Sequence, residues 1–385
     1  MKKEYFSSDF KLGMIAGGQL GKMLGQVCAQ WDVSFHVMDM DESAPAAGIA
    51  DSWTKGHYMN EEDVYSFGKG MDMITYEIEH VNVPALRRLK EEGVQIYPDP
   101  EHLAIIQDKG LQKAFYKEKG IPSSAFDFYE SGEVILEAIK AGKLEYPFVQ
   151  KARRAGYDGK GVAVISGPAD HDQILQTDSI VEEAVDIEVE IAVIASRNLD
   201  GEVSTFPMVE MEFNPKANLV EKLICPSRLS KEIEEKADAL AREVIESFRL
   251  VGVLAVEMFL DKKGEIWVNE VAPRPHNSGH HTIESSFTSQ YEQHLRAILN
   301  LPQGSTELMK PAVMINLLGE PGHKGAVYYE GMKEAMKVKG ANFHIYGKAH
   351  TRPFRKMGHV TILGNTLEEA MEGADQVKNL LKVKS

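Results

Sequence analysis

Two cysteines in 385 residues, Cys28 and Cys225, are too few and too far apart for a disulfide framework or a cysteine-rich zinc site, and they suit a reducing cytoplasm. Cys28 falls on the stripe Leu20, Met23, Leu24, Val27, Cys28, Trp31, whose helical spacing assigns it to a core. Positive charge is also scarce: 43 Lys and Arg against 58 Asp and Glu leave a net charge of -15. Such a surface repels a phosphate backbone, which excludes nucleic acid as a partner and requires local cations for any anionic ligand. No apolar run is long enough to cross a bilayer, and MKKEYFSSDF has lysines without an apolar region after them. Neither a membrane span nor a signal peptide is predicted. What remains, 43% hydrophobic and 26% charged, is an ordinary globular composition in a chain long enough for two to four domains.

The stretch Ala255–His281 concentrates the chemistry. Ala255–Leu260 and Glu265–Val271 read as strands around the turn Asp261-Lys262-Lys263-Gly264. An even loop makes Glu257 and Glu270 diagonal neighbours on one face, roughly 7–8 Å apart. An odd loop with Gly264 left-handed puts them on opposite faces unless a bulge restores them. Two acids in an apolar hairpin repel and are desolvated unless something positive lies between them. Magnesium carrying phosphates fits, since it takes one or two carboxylates plus substrate oxygens. Without such a partner the same acids are solvent-facing and Asn269 caps a turn. The donor-rich turn Arg274, Pro275, His276, Asn277 directly afterwards favours the chemical reading.

The chain opens with a strand, Lys11–Ala16, a glycine turn, the amphipathic helix just described and a second strand, Ser34–Met40, which is a parallel α/β order. Ala16 to Gly21 is an incomplete G-x-G-x-x-G with Asp39 as ribose acid, so a dinucleotide-dependent oxidoreductase stays open. The strand Met71–Tyr76 runs into Glu77, Glu79 and His80 before the helix Pro84–Glu92. Acids there suit either catalysis at a strand's carboxyl end or a helix start. Helical Asp99–Gly120 carries Lys109 into a second domain. Between the strands Tyr146–Lys151 and Val162–Ser166, Gly156, Gly159 and Gly161 free the backbone to fold over phosphates, and Arg153, Arg154 and Lys160 add charge. This is not a Walker loop, because a strand follows it; a flexible hairpin with solvated cations reads equally well. Ile180–Ala195 begins as a continuous strand and then alternates, with Glu188 and Glu190 on one side. Ser230 caps a helix running to Phe248. After Pro302 comes a small separate unit, with strands Ala312–Leu318, Asn342–Tyr346 and His359–Leu363 and helix Thr366–Leu381. It gathers Lys348, Arg352, Arg355, Lys356 and His359.

In chain order EIEHVN, the glycine loop, Glu182–Val185, NEVAPRPHNSGHHT and GKAHTRPFRKMGHV resemble the ATP-grasp superfamily, and within it the 5-(carboxyamino)imidazole ribonucleotide synthetases. The resemblance implies a mixed α/β and α+β chain. Residues 1–105 would form an amino-terminal Rossmann-like domain and 106–182 a lid subdomain with the glycine loop. Residues 183–305 would form the second half of the ATP-grasp fold with the metal hairpin, and 306–385 a small carboxyl-terminal β-rich domain. ATP is then held by Lys109, Lys151, Gly156, Tyr157, Asp158, Gly159, Lys160 and Gly161. Glu182, Glu183, Ala184 and Val185 meet adenine, Glu190 the ribose, and Asn269 and Glu270 the phosphate end. Magnesium sits on Glu257 and Glu270. Gln19, Glu77, Glu79, Tyr157, Arg274, His276, Asn277, Lys348 and Arg355 hold 5-aminoimidazole ribonucleotide, with Arg274, His276 and Lys160 at the reacting groups.

The implied reaction carboxylates the amine of that nucleotide with ATP and bicarbonate, in purine biosynthesis, by a cytoplasmic homodimer. Four positions depart from the family pattern: Lys109 replaces arginine, Ala155 glycine, Val162 glutamine and Phe213 histidine. Other ATP-grasp ligases, such as a formate-using ribonucleotide transformylase or a biotin carboxylase, would share the cleft and differ at the acceptor. A non-catalytic nucleotide-binding regulator would hold ATP and release no phosphate.

Overall fold

A computed structural model describes residues 4–154, 161–214 and 219–385. The opening segment forms a five-stranded parallel sheet ordered Ser52–Lys55, Ser34–Asp39, Lys11–Ile15, Met73–Tyr76, Gln95–Ile96. Its central strands are apolar on both faces, as a sheet covered on both sides requires. Leu12 and Met14 pack with Leu20, Leu24 and Cys28, while Ile15 and Ile74 pack with Leu86 and Leu89.

The next sheet is antiparallel, ordered Phe126–Tyr129, Ser179–Glu183, Phe148–Ala152, Val162–Ile165. The largest has nine strands. Its path runs Ile266–Ala272, Gly252–Asp261, Ile187–Arg197, Val209–Asn214, Leu219–Cys225, Ala312–Leu318, Lys356–Leu363, Ala341–Ile345, with Val203–Thr205 beside Ile187–Arg197. The helix Lys231–Phe248, whose Ile233 amide is capped by Ser230, lays Ala237, Leu240, Ala241, Val244 and Phe248 into the core beneath it.

Two expectations change here. The continuous strand from Ile180 breaks, because Ala184 to Asp186 carry the chain from one sheet to another. The carboxyl-terminal unit has its own core but does not stand apart: Ala312–Leu318 pairs with Leu219–Cys225, so its strands extend the nine-stranded sheet. Of the strands that make this junction, Val209–Asn214 alternates apolar and polar residues, whereas Leu219–Cys225 carries no clean alternation to read.

The first glycine turn is held from across the sheet. Glu77 accepts from the Gly18 amide with one oxygen and from Gly21, at 2.5 Å, with the other. A methyl group on Gly18 would collide with that carboxylate, whereas one on Gly48 meets open space. Gly18→Ala is therefore expected to destabilise the chain by roughly 1–3 kcal/mol in thermal denaturation, and Gly48→Ala to change little.

Candidate active site

The hairpin that carries Glu257 and Glu270 closes with the odd loop. Leu260 pairs with Ile266, Gly264 is left-handed at φ +84°, and Asp261 accepts from the amides of Lys263 and Glu265 at 2.8 and 2.9 Å. Met258 pairs with Val268, and then the register slips, so that Glu257 faces Glu270 directly. Asn269 is the extra residue. Were Asn269 paired with Glu257 in regular register, Glu270 would oppose Val256 and point to the other face. The acids are thus direct cross-strand neighbours rather than the diagonal pair of an even loop.

Their surroundings polarise them differently. Burial pushes the Glu257 carboxyl up to about 8, with Glu270 and Glu190 adding repulsion. Lys109, at 3.0 Å, holds Glu270 below the usual carboxylate range, and Lys151 and Arg274 reinforce it. Lys151 donates to the bulge residue Asn269 at 2.8 Å and pairs with Glu182 at 3.2 Å. Glu182 also takes Ser124 at 2.7 Å and lies 3.7 Å from Lys113, a cluster whose Lys113 and Glu182 side chains are 2% and 5% exposed. Burial brings Lys113 down to about 8 despite Glu182.

The two acids fit a divalent cation: they stand face to face, half-buried, and repel each other without one. Among the described residues no third carboxylate, histidine or cysteine completes a protein-only site, so the remaining ligands are left to phosphate oxygens and water.

Glu190, on the neighbouring strand, is pushed up to about 7, chiefly by burial. A carboxyl whose folded pKa exceeds its unfolded value binds more protons when folded. Its contribution to stability is full below about 4.5 and disappears as pH rises through about 7. The nucleotide-free protein is expected to lose on the order of 1–3 kcal/mol over that window, and Glu190→Gln to flatten the slope in denaturant titrations.

On the acceptor side Arg274 pairs with Glu79 at 2.7 Å, joining the hairpin loop to the first sheet. The Ser278 amide donates to His276 Nδ1 at 3.3 Å, which leaves the ring hydrogen on Nε2, 3.2 Å from Glu257 Oε1. Burial, with Arg274 and Lys356 adding, keeps this imidazole neutral. Lys348 donates to the Lys356 carbonyl at 3.0 Å, and Arg355 donates to the His350 carbonyl at 2.6 Å and feels Asp41. Lys22 donates to the carbonyls of Ile345 and Tyr346 at 3.1 and 3.4 Å, so the loop bearing Lys348 lies against the helix that begins at Gln19.

Three comparisons can be set against this geometry. A ribonucleotide synthetase preATP-grasp domain matches residues 10–107, an ATP-grasp domain 114–291, and a phosphoribosylaminoimidazole carboxylase C-terminal domain 312–373. The N5-carboxyaminoimidazole ribonucleotide synthase of Bacillus subtilis is 37% identical over 96% of this chain and 95% of its own. The chain belongs to the N5-carboxyaminoimidazole ribonucleotide synthase family. The synthetase of Thermotoga maritima superimposes with a TM-score of 0.89 at 42% identity, covering 98% of this chain and 99% of that one. The Aspergillus clavatus synthase, solved with ADP and 5-aminoimidazole ribonucleotide, gives 0.87 at 30% identity over 97% and 99%.

Within this synthase family frame several residues sit differently from expectation. Glu77 spends both oxygens on the Gly18 and Gly21 amides, so it supports the turn instead of offering a free carboxylate to the substrate. That carboxylate also occupies the helix start where a dinucleotide pyrophosphate would bind, and Asp39 is taken by the Gly17 and Asp41 amides. Both facts remove the oxidoreductase reading. Asn277 exchanges two hydrogen bonds with Asn316, 2.8 and 3.0 Å, and braces the loop. Arg153 and Arg154 turn to Asp108, at 2.8 and 3.2 Å, rather than lending charge to the glycine loop.

The backbone of Glu182 is paired within its sheet, and its side chain reaches the lysines. Glu183 ends that strand, paired with Phe148, and Ala184 and Val185 lie in the crossing between sheets. Gly161 is left-handed at φ +79°, and its carbonyl accepts from Ala152 at 2.8 Å. Gly156, Tyr157, Asp158, Gly159 and Lys160 lie outside the described residues. Lys356 was missed as a site residue: it opens the strand Lys356–Leu363, and its charge acts on both Glu257 and His276. Its sequence signal was only membership of a basic run. No helix among the described residues is long and apolar enough to cross a membrane.

Proposed function

We propose that this chain uses ATP and bicarbonate to carboxylate the exocyclic amine of 5-aminoimidazole ribonucleotide, releasing ADP and phosphate, as a ligase of purine biosynthesis. The observation that carries this reading is the Glu257–Glu270 pair, which has Lys109 and Lys151 on one side and Arg274 and His276 on the other. Nucleotide and acceptor machinery meet at one pair of carboxylates. Likeness to the Aspergillus clavatus synthase, solved with ADP and the same ribonucleotide, supports the acceptor.

Bicarbonate is a poor acyl donor, being anionic with hydroxide as its leaving group. A bicarbonate oxygen attacks the γ-phosphorus and ADP departs, leaving carboxyphosphate. The amine nitrogen then takes the carboxyl group, directly or as released carbon dioxide, and phosphate leaves. The protein's share is positioning and charge neutralisation. Magnesium on Glu257 and Glu270 would supply charge stabilisation at the phosphate oxygens. Lys109 and Lys151 draw in the phosphates beside Asn269, Glu190 accepts from the ribose, and Glu182 to Val185 border adenine. Loop residues 156–161 are assigned to exclude water from carboxyphosphate. Arg274, pinned by Glu79, and the Nε2–H of His276 orient the reacting anion. Gln19, Lys348, Arg355 and Lys356 hold the acceptor with Tyr157 and Lys160, supported by Glu77 and Asn277. The divisions 1–105, 106–182, 183–305 and 306–385 and a homodimeric assembly belong to the same reading.

The test is phosphate release. Release from ATP, magnesium and bicarbonate should rise on adding 5-aminoimidazole ribonucleotide and not on adding formate with glycinamide ribonucleotide. The reverse pattern would move the chain to another ATP-grasp reaction.

A further inference from the structure

Three imidazoles form a column that runs from the loop carrying Arg274 and His276 across the strand Lys356–Leu363 to the strand Ala341–Ile345. His280 stacks on His359 with ring centroids 4.5 Å apart and planes at 27°, and His359 stacks on His344 at 4.4 Å and 11°. His280 and His359 are 1% and 0% exposed. Burial, with the neighbouring imidazoles adding, holds both well below the ordinary histidine range, so the rings are neutral and stack without repulsion.

Each ring of the pair is tied to a different end of the site. His280 Nδ1 lies 2.9 Å from the Tyr291 hydroxyl and 3.4 Å from Gln290 Nε2. Gln290 in turn brackets the His276 backbone, accepting from its amide at 2.8 Å and donating to its carbonyl at 2.7 Å. On the far side His359 Nδ1 lies 3.0 Å from the Tyr346 hydroxyl. The Lys348 ammonium stands 5.5 Å from the Tyr346 ring centroid, and Lys22 holds the Tyr346 carbonyl. His344 ends the column on Glu284 at 2.5 Å.

An aliphatic side chain would fill the same volume more cheaply. Among the described residues His359 Nε2 has no partner, and an orphaned buried nitrogen is a cost that packing alone does not explain. Only an imidazole at 359 both stacks on His280 and meets Tyr346. We propose that the His280–His359 stack sets the distance between His276 at the hairpin acids and Lys348 at the acceptor's phosphate, making His359 a positioning residue for the acceptor nucleotide and not for ATP. This rests on the function proposed above.

Three substitutions in the full chain separate the interactions. His359→Phe keeps a stacking ring and loses the Tyr346 hydrogen bond, His359→Asn keeps a hydrogen-bonding group and loses the stack, and His359→Leu loses both. His359→Leu is expected to raise KM for 5-aminoimidazole ribonucleotide about tenfold while KM for ATP stays within about twofold, and Phe and Asn each to recover part of the loss. If His359→Leu does not fold, the other two carry the same readout, and neither raising the acceptor KM overturns the proposal. So does a parallel rise in both KM values, or a change confined to the melting temperature. A wild-type protein with no response to the ribonucleotide overturns the assigned acceptor and this role with it. A responding wild type whose variants keep its acceptor KM overturns the role alone.

Discussion

Glu270→Gln is expected to lower ATP-driven phosphate release about a thousandfold, equivalent to about 4 kcal/mol of transition-state stabilisation. Glu270 is the ionised member of the pair, kept so by Lys109 at 3.0 Å, and it is the charge a cation meets first. Its amide would leave Lys109 facing a neutral group and the cation with one carboxylate. Glu257 stands differently, because burial and the nearby acids keep it protonated near neutral pH until a cation arrives. Glu257→Gln should therefore lose less in the free protein and show its defect mainly as a higher magnesium requirement. Phosphate release titrated with magnesium at saturating ATP distinguishes the two. Both variants staying within tenfold of wild type at every magnesium level would remove the hairpin from the chemistry.

Deleting Asn269 should keep the two acids facing each other and cost about what the loss of its side chain costs. One residue fewer in Ile266–Ala272 removes the bulge and restores regular pairing with Gly252–Asp261, so Glu270 follows Val268 directly and still opposes Glu257 on the same face. The change also removes the acceptor that Lys151 uses at 2.8 Å. Asn269→Ala is the control: it keeps the bulge and loses only that acceptor, so a loss of about tenfold is expected. Thermal melting and circular dichroism report whether the deletion variant folds, and phosphate release reports whether it works. A folded deletion variant far less active than Asn269→Ala would mean that the bulge itself, and not only the facing of the two acids, is needed for turnover.

Much of the chain could be read without coordinates wherever one local rule acted alone. The opening strand, glycine turn and helix were visible because helical spacing from Leu20 to Trp31 and an apolar strand coincide with the real core. Ser230 as a cap and Gly120 as a left-handed stop behaved as their side chains dictate. The hairpin acids, the cleft lysines and the acceptor loop were all named from motif and spacing. Where two rules competed, local reading failed. Ile180 to Ala195 looked like one strand because alternation does not record that the chain changes sheets at Ala184 to Asp186.

The amino-acid order alone determined which groups are present: two acids in a hairpin, a lysine on an earlier strand, a basic run near the end, and family membership through their order. Only the folded chain decided which groups are available. It took Glu77 for the Gly18 and Gly21 amides, Asn277 for Asn316 and Arg153 for Asp108, and it brought Lys356 within reach of Glu257 and His276. The physical reason is that a hydrogen bond or charge partner distant in sequence leaves no local trace. Side-chain type limits what a residue can do, while burial and the company it keeps with residues distant in sequence decide what it does.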